Sequence, residues 1–252
     1  MPRYEMLNNI AHRDLRVLTD FGAEFGDAVG MVPAYPSEFA ELQREYPIFL
    51  RRDATTGAWQ SVALLGFEQH ENLYLQDGRW NASYLPGAAA KGPFLIGFQD
   101  TGLDGDAGGD TVIHVDLDHP RVSAVQGQPV FLPHGGNTPY LDHIAAVLRG
   151  IHEGVTFAAG MFTALDAHGL VQPTTLDVQI DTAHRVSVSG LHAIDRDRLS
   201  QLDGDALAAL NRSGYLEGAY LMLASLHNMR RLIAEKQRRL RAQDAPAALG
   251  RN

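Results

Sequence analysis

The chain contains no cysteine. Disulfides, thiolate metal sites and cysteine nucleophiles are therefore excluded, although a disulfide-free protein can work on either side of a membrane. It also lacks any run near the roughly 18 uninterrupted apolar residues of a membrane span, so no membrane insertion is expected. The opening residues, Met1 to Leu18, hold no apolar stretch long enough for a signal-peptide core. The expected address is the cytoplasm, with an envelope-associated location as the alternative. Basic residues are the minority, 21 against 30 acidic, for a formal charge of −9. That balance disfavours attraction to nucleic acid or anionic lipid, and no nucleic-acid partner is expected. Neither a Gly-x-Ser-x-Gly elbow nor a His-Glu-x-x-His motif occurs, which removes two hydrolase signatures.

What is present is an ordinary globular composition: 45% apolar and 20% charged over 252 residues, enough to bury a substantial core. The first part reads as a strand at Leu15 to Leu18, an irregular Gly-rich stretch, and a short helix. That helix opens at Pro36-Ser-Glu38, with Phe39, Leu42 and Tyr46 at helical spacing. Short apolar runs follow at Tyr46 to Leu50 and Trp59 to Phe67, joined by the turn-rich Asp53-Ala-Thr-Thr-Gly57. Further strands are expected at 72–75, 93–98, 111–117 and 129–132, with Gly and Pro in almost every gap.

At Thr138 the period changes from 2 to 3.6. Leu141, Ile144, Leu148, Ile151, Val155, Ala158, Phe162 and Leu165 recur at alternating steps of three and four. With Pro139 in the first turn and Gly169 as a left-handed stop, the spacing predicts one helix over 138–169, about 30 residues or 45 Å long. Its stripe is expected to bury Leu141, Leu148, Val155 and Phe162 against a sheet. Leu176 to Ile180 and Val186 to Ser189 alternate around Asp181-Thr-Ala-His184 as a hairpin. Short helices are expected at 195–202 and 205–211, and a long one over 215–241 ending in cations that its dipole favours. The fold class is α+β: a mixed or antiparallel, sheet-rich first half packed against long helices of the second. Residues 1–241 read as a single domain and 242–252 as a frayed tail.

Ordered blocks across residues 34–240 carry a family pattern. They include Tyr46-Pro-Ile-Phe-Leu50, Ala63-Leu-Leu-Gly-Phe67, Gly78-Arg-Trp80, Tyr84-Leu-Pro86 and Gly92-Pro-Phe-Leu-Ile-Gly97. His114-Val-Asp-Leu-Asp-His-Pro-Arg121, Phe131-Leu-Pro-His-Gly-Gly-Asn137 and Gly190-Leu-His-Ala-Ile-Asp195 continue the series. The chain thereby resembles the SapC family, named for an association with bacterial surface layers. The branch it resembles is often encoded beside TonB-dependent receptors, tryptophan-halogenase-like and cupin-like proteins. The resemblance carries over no catalytic residue set. Two positions depart from it: Ala89-Ala-Lys-Gly92 replaces a basic residue or pair ahead of Pro-Phe, and His192 stands where a tyrosine is expected.

The most chemical segment is His114-Val-Asp116-Leu-Asp118-His-Pro-Arg121. On a strand, Ile113, Val115 and Leu117 would face the core, leaving His114 and Asp116 together on the other face. An imidazole and a carboxylate two residues apart suit Fe(II) or another divalent metal, and His184 is the positional candidate for the third ligand of a facial triad. The competing reading is a polar strand face ending in a turn at Asp118-His-Pro. Asp100, Asp104, Asp106 and Asp110 crowd one Gly-rich loop, but position 12 of an EF-hand there would be Val115, not Glu. His134, Gly135, Gly136 and Asn137 precede the long helix, where free N–H groups could hold an anion; Arg121 joins them as a candidate ligand contact, and a turn plus N-cap explains the loop equally well. Trp59, Trp80, Tyr74 and Tyr84 could stack on a sugar or peptide, or fill the core. Arg230, Arg231, Arg238, Arg239 and Arg241 form a basic cluster that reads as a solvated face or a dock for an acidic partner.

The leading expectation is a non-catalytic binding or accessory protein linked to bacterial envelope uptake or modification, with no cofactor and with a small molecule or protein as partner; a homo-oligomer is compatible with it. The alternative is a metal-dependent enzyme, an Fe(II) oxygenase among the options, using His114 and Asp116. A structural role in a surface layer fits the family name but not the lack of an export signal.

Overall fold

A computed structural model describes residues 2–99, 110–182 and 184–244. In chain order the strands of the first half are β1 (Tyr4–Met6), β2 (Arg16–Val17) and β3 (Met31–Pro33), followed by the short helix α1 (Phe39–Leu42). Then come β4 (Ile48–Arg52), β5 (Trp59–Leu64), β6 (Leu75–Gln76), β7 (Arg79–Trp80) and the one-turn helix α2 (Gly87–Ala90). β8 (Phe94–Gln99), β9 (Asp110–Asp116), β10 (Val122–Ser123) and β11 (Gln128–Pro129) lead to the long helix α3 (Pro139–Ala167). The second half closes with β12 (Val171–Gln179), β13 (Arg185–Ile194), α4 (Arg196–Ser200), α5 (Gly204–Arg212), α6 (Tyr215–Ser225) and α7 (Met229–Asp244).

The largest sheet is antiparallel throughout, in the order β12-β13-β4-β5-β3. Its central β4–β5 hairpin turns at Asp53, whose Oδ1 accepts the N–H groups of Thr55 and Thr56 while Gly57 takes a left-handed φ of 69°. A second sheet, β1-β9-β8, and a third, β10-β2-β11, lie at the other end of α3. The α+β expectation holds, with sheet and helix in both halves and an antiparallel sheet at the core.

Helix α3 serves two hydrophobic clusters. Leu141, Ile144 and Leu148 pack with Leu15, Val17, Phe94 and Val115, while Met161, Phe162 and Leu165 join the main core under the five-stranded sheet. Pro139 occupies the first turn as expected, and the Thr138 hydroxyl caps the helix by accepting the Leu141 N–H. One expectation fails. Val155 is 53% exposed, whereas Leu148 is 3% exposed. At about 100° per residue, Gly154, Met161 and Leu165 lie roughly 110° from the direction of Leu141, Ile144 and Leu148, whereas buried Phe162 keeps that direction. The buried face therefore widens along the helix, and Val155, on the same side as Leu148 and Phe162, belongs to neither cluster and lines the groove instead.

The expected 215–241 helix is two helices joined by a 3-10 turn at Leu226–Asn228. Two buried polar side chains sit at that joint. Ser225 accepts the Ile48 N–H and donates to the Met222 carbonyl, and the Asn228 amide donates to the Gln43 and Tyr46 carbonyls. α7 continues through Asp244, past the expected start of the tail at Ala242, and 245–252 lie outside the described residues. Its basic cluster is not a uniformly solvated face. Arg239 donates to the carbonyls of Asn72, Leu73 and Leu75, and Arg231 to Glu45 and the Asn81 carbonyl. Lys236 bridges Glu68 and Glu71. These contacts pin the 68–81 segment onto α7.

Candidate functional site

A gap opens between α3 and the sheet beside Val155. Near its middle the helix is held close: a Cβ on Gly154 would meet Tyr35 Cβ and Ser37 Oγ at 2.6 Å, and Ser37 donates 2.7 Å to the Gly150 carbonyl. Beyond that point the facing residues are too small to fill the space, with Ala158 and Ala159 on the helix opposite Pro33, Ala34 and Ser61 on the sheet. The result is a groove of about 880 Å³, with Tyr35, Val155 and Phe162 completing its apolar walls. That volume lies in the range of small-molecule sites.

One end of the groove is polar. Arg52 and Trp59 are directly paired across the hairpin, which places them on one sheet face. The Arg52 guanidinium lies 4.0 Å from the Trp59 ring centre, and its Nη1 donates to the Gly57 carbonyl. Asp166, from the last turn of α3, accepts Arg52 Nη2 at 3.2 Å and the indole N–H at 3.0 Å, both on Oδ2. The Arg52 and Asp166 side chains are 53% and 41% exposed, so a ligand in the groove can reach both. His192 packs edge-on against Trp59 at 4.7 Å. Burial, then the Arg52 charge, pushes its pKa below the ordinary value against the pull of Asp166. Its Nδ1 is buried with no hydrogen-bond partner among the described residues. The departure from the family pattern at position 192 thus sits beside the groove.

The residues singled out from sequence lie elsewhere. His114 and Asp116 do share β9, in the register Met6↔His114 and Tyr4↔Asp116, and His114 lies over Gly97 of β8. Asp116 Oδ1 accepts the N–H groups of Arg3 and Asp118, as in the strand-end turn reading. His184 is on the β12–β13 hairpin of a different sheet, against Asp181, so the facial triad is not assembled. Among the described residues no three His, Asp or Glu side chains are grouped to hold a metal. Asp100, Asp104 and Asp106 lie outside the described residues.

The 131–137 loop closes on itself. Gly135 and Gly136 take φ of 87° and 85°, the Gly135 N–H bonds to Leu132 and the Leu132 N–H to Gly136. Asn137 donates to Asp142, and His134 is exposed. Arg121 does not join them. Its guanidinium is buried between the Phe21 and Phe25 rings, donating to the carbonyls of Leu18 and Asp20 and to Asp27 Oδ2 at 2.6 Å. Of the aromatics, Trp59 lines the groove. Tyr46, Tyr74 and Trp80 interlock in the core, with the Trp80 N–H donating to Tyr46 Oη. Arg52 and Asp166 were missed because no local pattern links them; counting cross-strand partners back from the Asp53 turn would have placed Arg52 beside Trp59.

The fold and groove define an α+β protein with a ligand-sized cleft between an antiparallel sheet and a long helix. A family model described as SapC matches residues 7–232, and the chain belongs to the SapC family. No curated protein and no solved structure matches it.

Proposed function

We propose that this chain is a non-catalytic binding protein, an accessory to envelope-linked uptake or modification, and that it holds a small molecule with a flat apolar body and a hydrogen-bonding head. The groove carries this reading: about 880 Å³ of space walled by apolar side chains, with Arg52, Trp59 and Asp166 already oriented by one another at one end. Such preorganisation lowers the ordering cost of binding. The envelope link rests on the family resemblance.

The chain has two tryptophans, so Trp80→Phe leaves Trp59 as the sole indole emitter. N-phenyl-1-naphthylamine, a neutral flat dye with one N–H, is the probe. It should brighten on binding and quench Trp59 at one dye per chain. Ala159→Trp, on the exposed helix face lining the groove, should abolish the brightening of the dye while the melting temperature stays within a few degrees. Dye binding undiminished by Ala159→Trp, or no quenching of Trp59, would remove the groove as the site.

A further inference from the structure

A second, smaller cavity of about 180 Å³ lies apart from the groove's polar end, lined by Lys91, His119, Arg121 and Asp27 with Phe25 and Trp80. The charges around it are unevenly spent. Asp27 Oδ2 is committed to the Arg121 guanidinium at 2.6 Å and to the Gly22 N–H at 2.8 Å. Arg121 is in turn held by the carbonyls of Leu18 and Asp20. This pair is structural and nearly neutral. His119 Nδ1 accepts the Arg121 backbone N–H at 3.1 Å, which leaves Nε2 as the proton-bearing nitrogen of the neutral ring.

Lys91 is different. It follows α2 at the cavity wall, and its ammonium has no hydrogen bond or ion pair among the described residues. Asp116 is the acidic group that acts on it, but the described bonds of that carboxylate go to the backbone of Arg3 and Asp118. Burial is the main influence on Lys91 and pushes its pKa down; His119 is also lowered, by burial and then by Arg121. A partly buried ammonium without a counter-charge is costly unless something supplies one.

We propose that the Lys91–His119 cavity binds a small oxyanion, a carboxylate or phosphate group, with the Lys91 ammonium as its charge partner and His119 as a second donor. At about 180 Å³ the cavity leaves room for little beyond the anionic group itself. Charge-assisted hydrogen bonds of this kind are the strong ones.

The test is calorimetric titration of the full chain at pH 7 with sodium acetate and, separately, sodium phosphate, with chloride adjusted to constant ionic strength. One site per chain is expected for at least one of the two, and which one binds distinguishes carboxylate from phosphate. Lys91→Met should weaken binding at least tenfold, and Lys91→Arg should restore most of it. In anion-free buffer, Lys91→Met should melt no lower than the native chain, because it removes an unpaired, partly buried charge. Failure of both anions to bind, or equal binding by Lys91→Met, would overturn the proposal. A lower melting temperature for Lys91→Met would also overturn it, by showing that Lys91 is a structural cation. Ala159→Trp should leave anion binding unchanged, so this site and the groove stand or fall separately.

Discussion

Replacing Leu148 and Val155 by alanine, one at a time, separates the observed structure from the regular stripe that the spacing of α3 suggests. Both residues fall on the same three-four periodicity, yet Leu148 is 3% exposed within the second hydrophobic cluster and Val155 is 53% exposed on the groove wall. Truncating a buried leucine removes transfer energy and leaves a cavity, at a cost of about 2–5 kcal/mol. At 1.4 kcal/mol per factor of ten, that lowers the folding equilibrium roughly 30-fold to several thousandfold. Truncating a half-exposed valine should cost no more than about 0.5 kcal/mol, partly offset by the better helix propensity of alanine. Urea melts of the two variants and the native chain, with a common slope, give both numbers. Equal costs for the two changes, or a larger one for Val155→Ala, would refute the exposure of Val155 on the groove wall and with it the groove.

Asp27→Ala strands the buried Arg121 guanidinium and should destabilise the chain by about 3–5 kcal/mol in the same urea assay, far more than a surface carboxylate would. Burial pushes Glu45 up, but the Arg231 guanidinium and the N–H groups of Tyr84 and Ser83 outweigh it and hold its pKa below the ordinary carboxylate value. A carboxylate with a depressed folded pKa stabilises the chain above its unfolded value of 4.5, and that stability is lost as pH falls through the folded pKa. Glu45→Gln should therefore flatten the stability profile in the range just below pH 4.5, measured by melting temperature against pH. His114→Ala should cost little stability, and elemental analysis of the native chain should find no stoichiometric iron, manganese or zinc. Stoichiometric metal that His114→Ala removes would revive the metal-enzyme reading.

Much of the scaffold was legible because its signals are local. The Thr138 cap, Pro139 and the left-handed Gly169 bound α3 within one or two residues, and the Asp53 turn marks the β4–β5 hairpin. The three-residue strands β1 and β3 were not legible, since so short a run shows no period and forms only against a partner far along the chain. The joint between α6 and α7 was hidden for a related reason. Ser225 and Asn228 look like ordinary helix residues until Ile48 and Tyr46 arrive to bond with them. The site was the least legible part. Arg52 and Asp166 are 114 residues apart and meet only because α3 lies across the hairpin. The His114–Asp116 pair was visible as a pattern, but one of its groups is used by neighbouring backbone.

The central claim is that the space between α3 and the β4–β5 hairpin is a binding site. It is tested most directly by a crystal structure of the chain grown with N-phenyl-1-naphthylamine. The account predicts dye density between Ala159 and Ser61, with a ring against Phe162 and the amine directed towards Asp166. An unoccupied groove filled by rearranged side chains, with the dye bound only elsewhere on the surface, would contradict it.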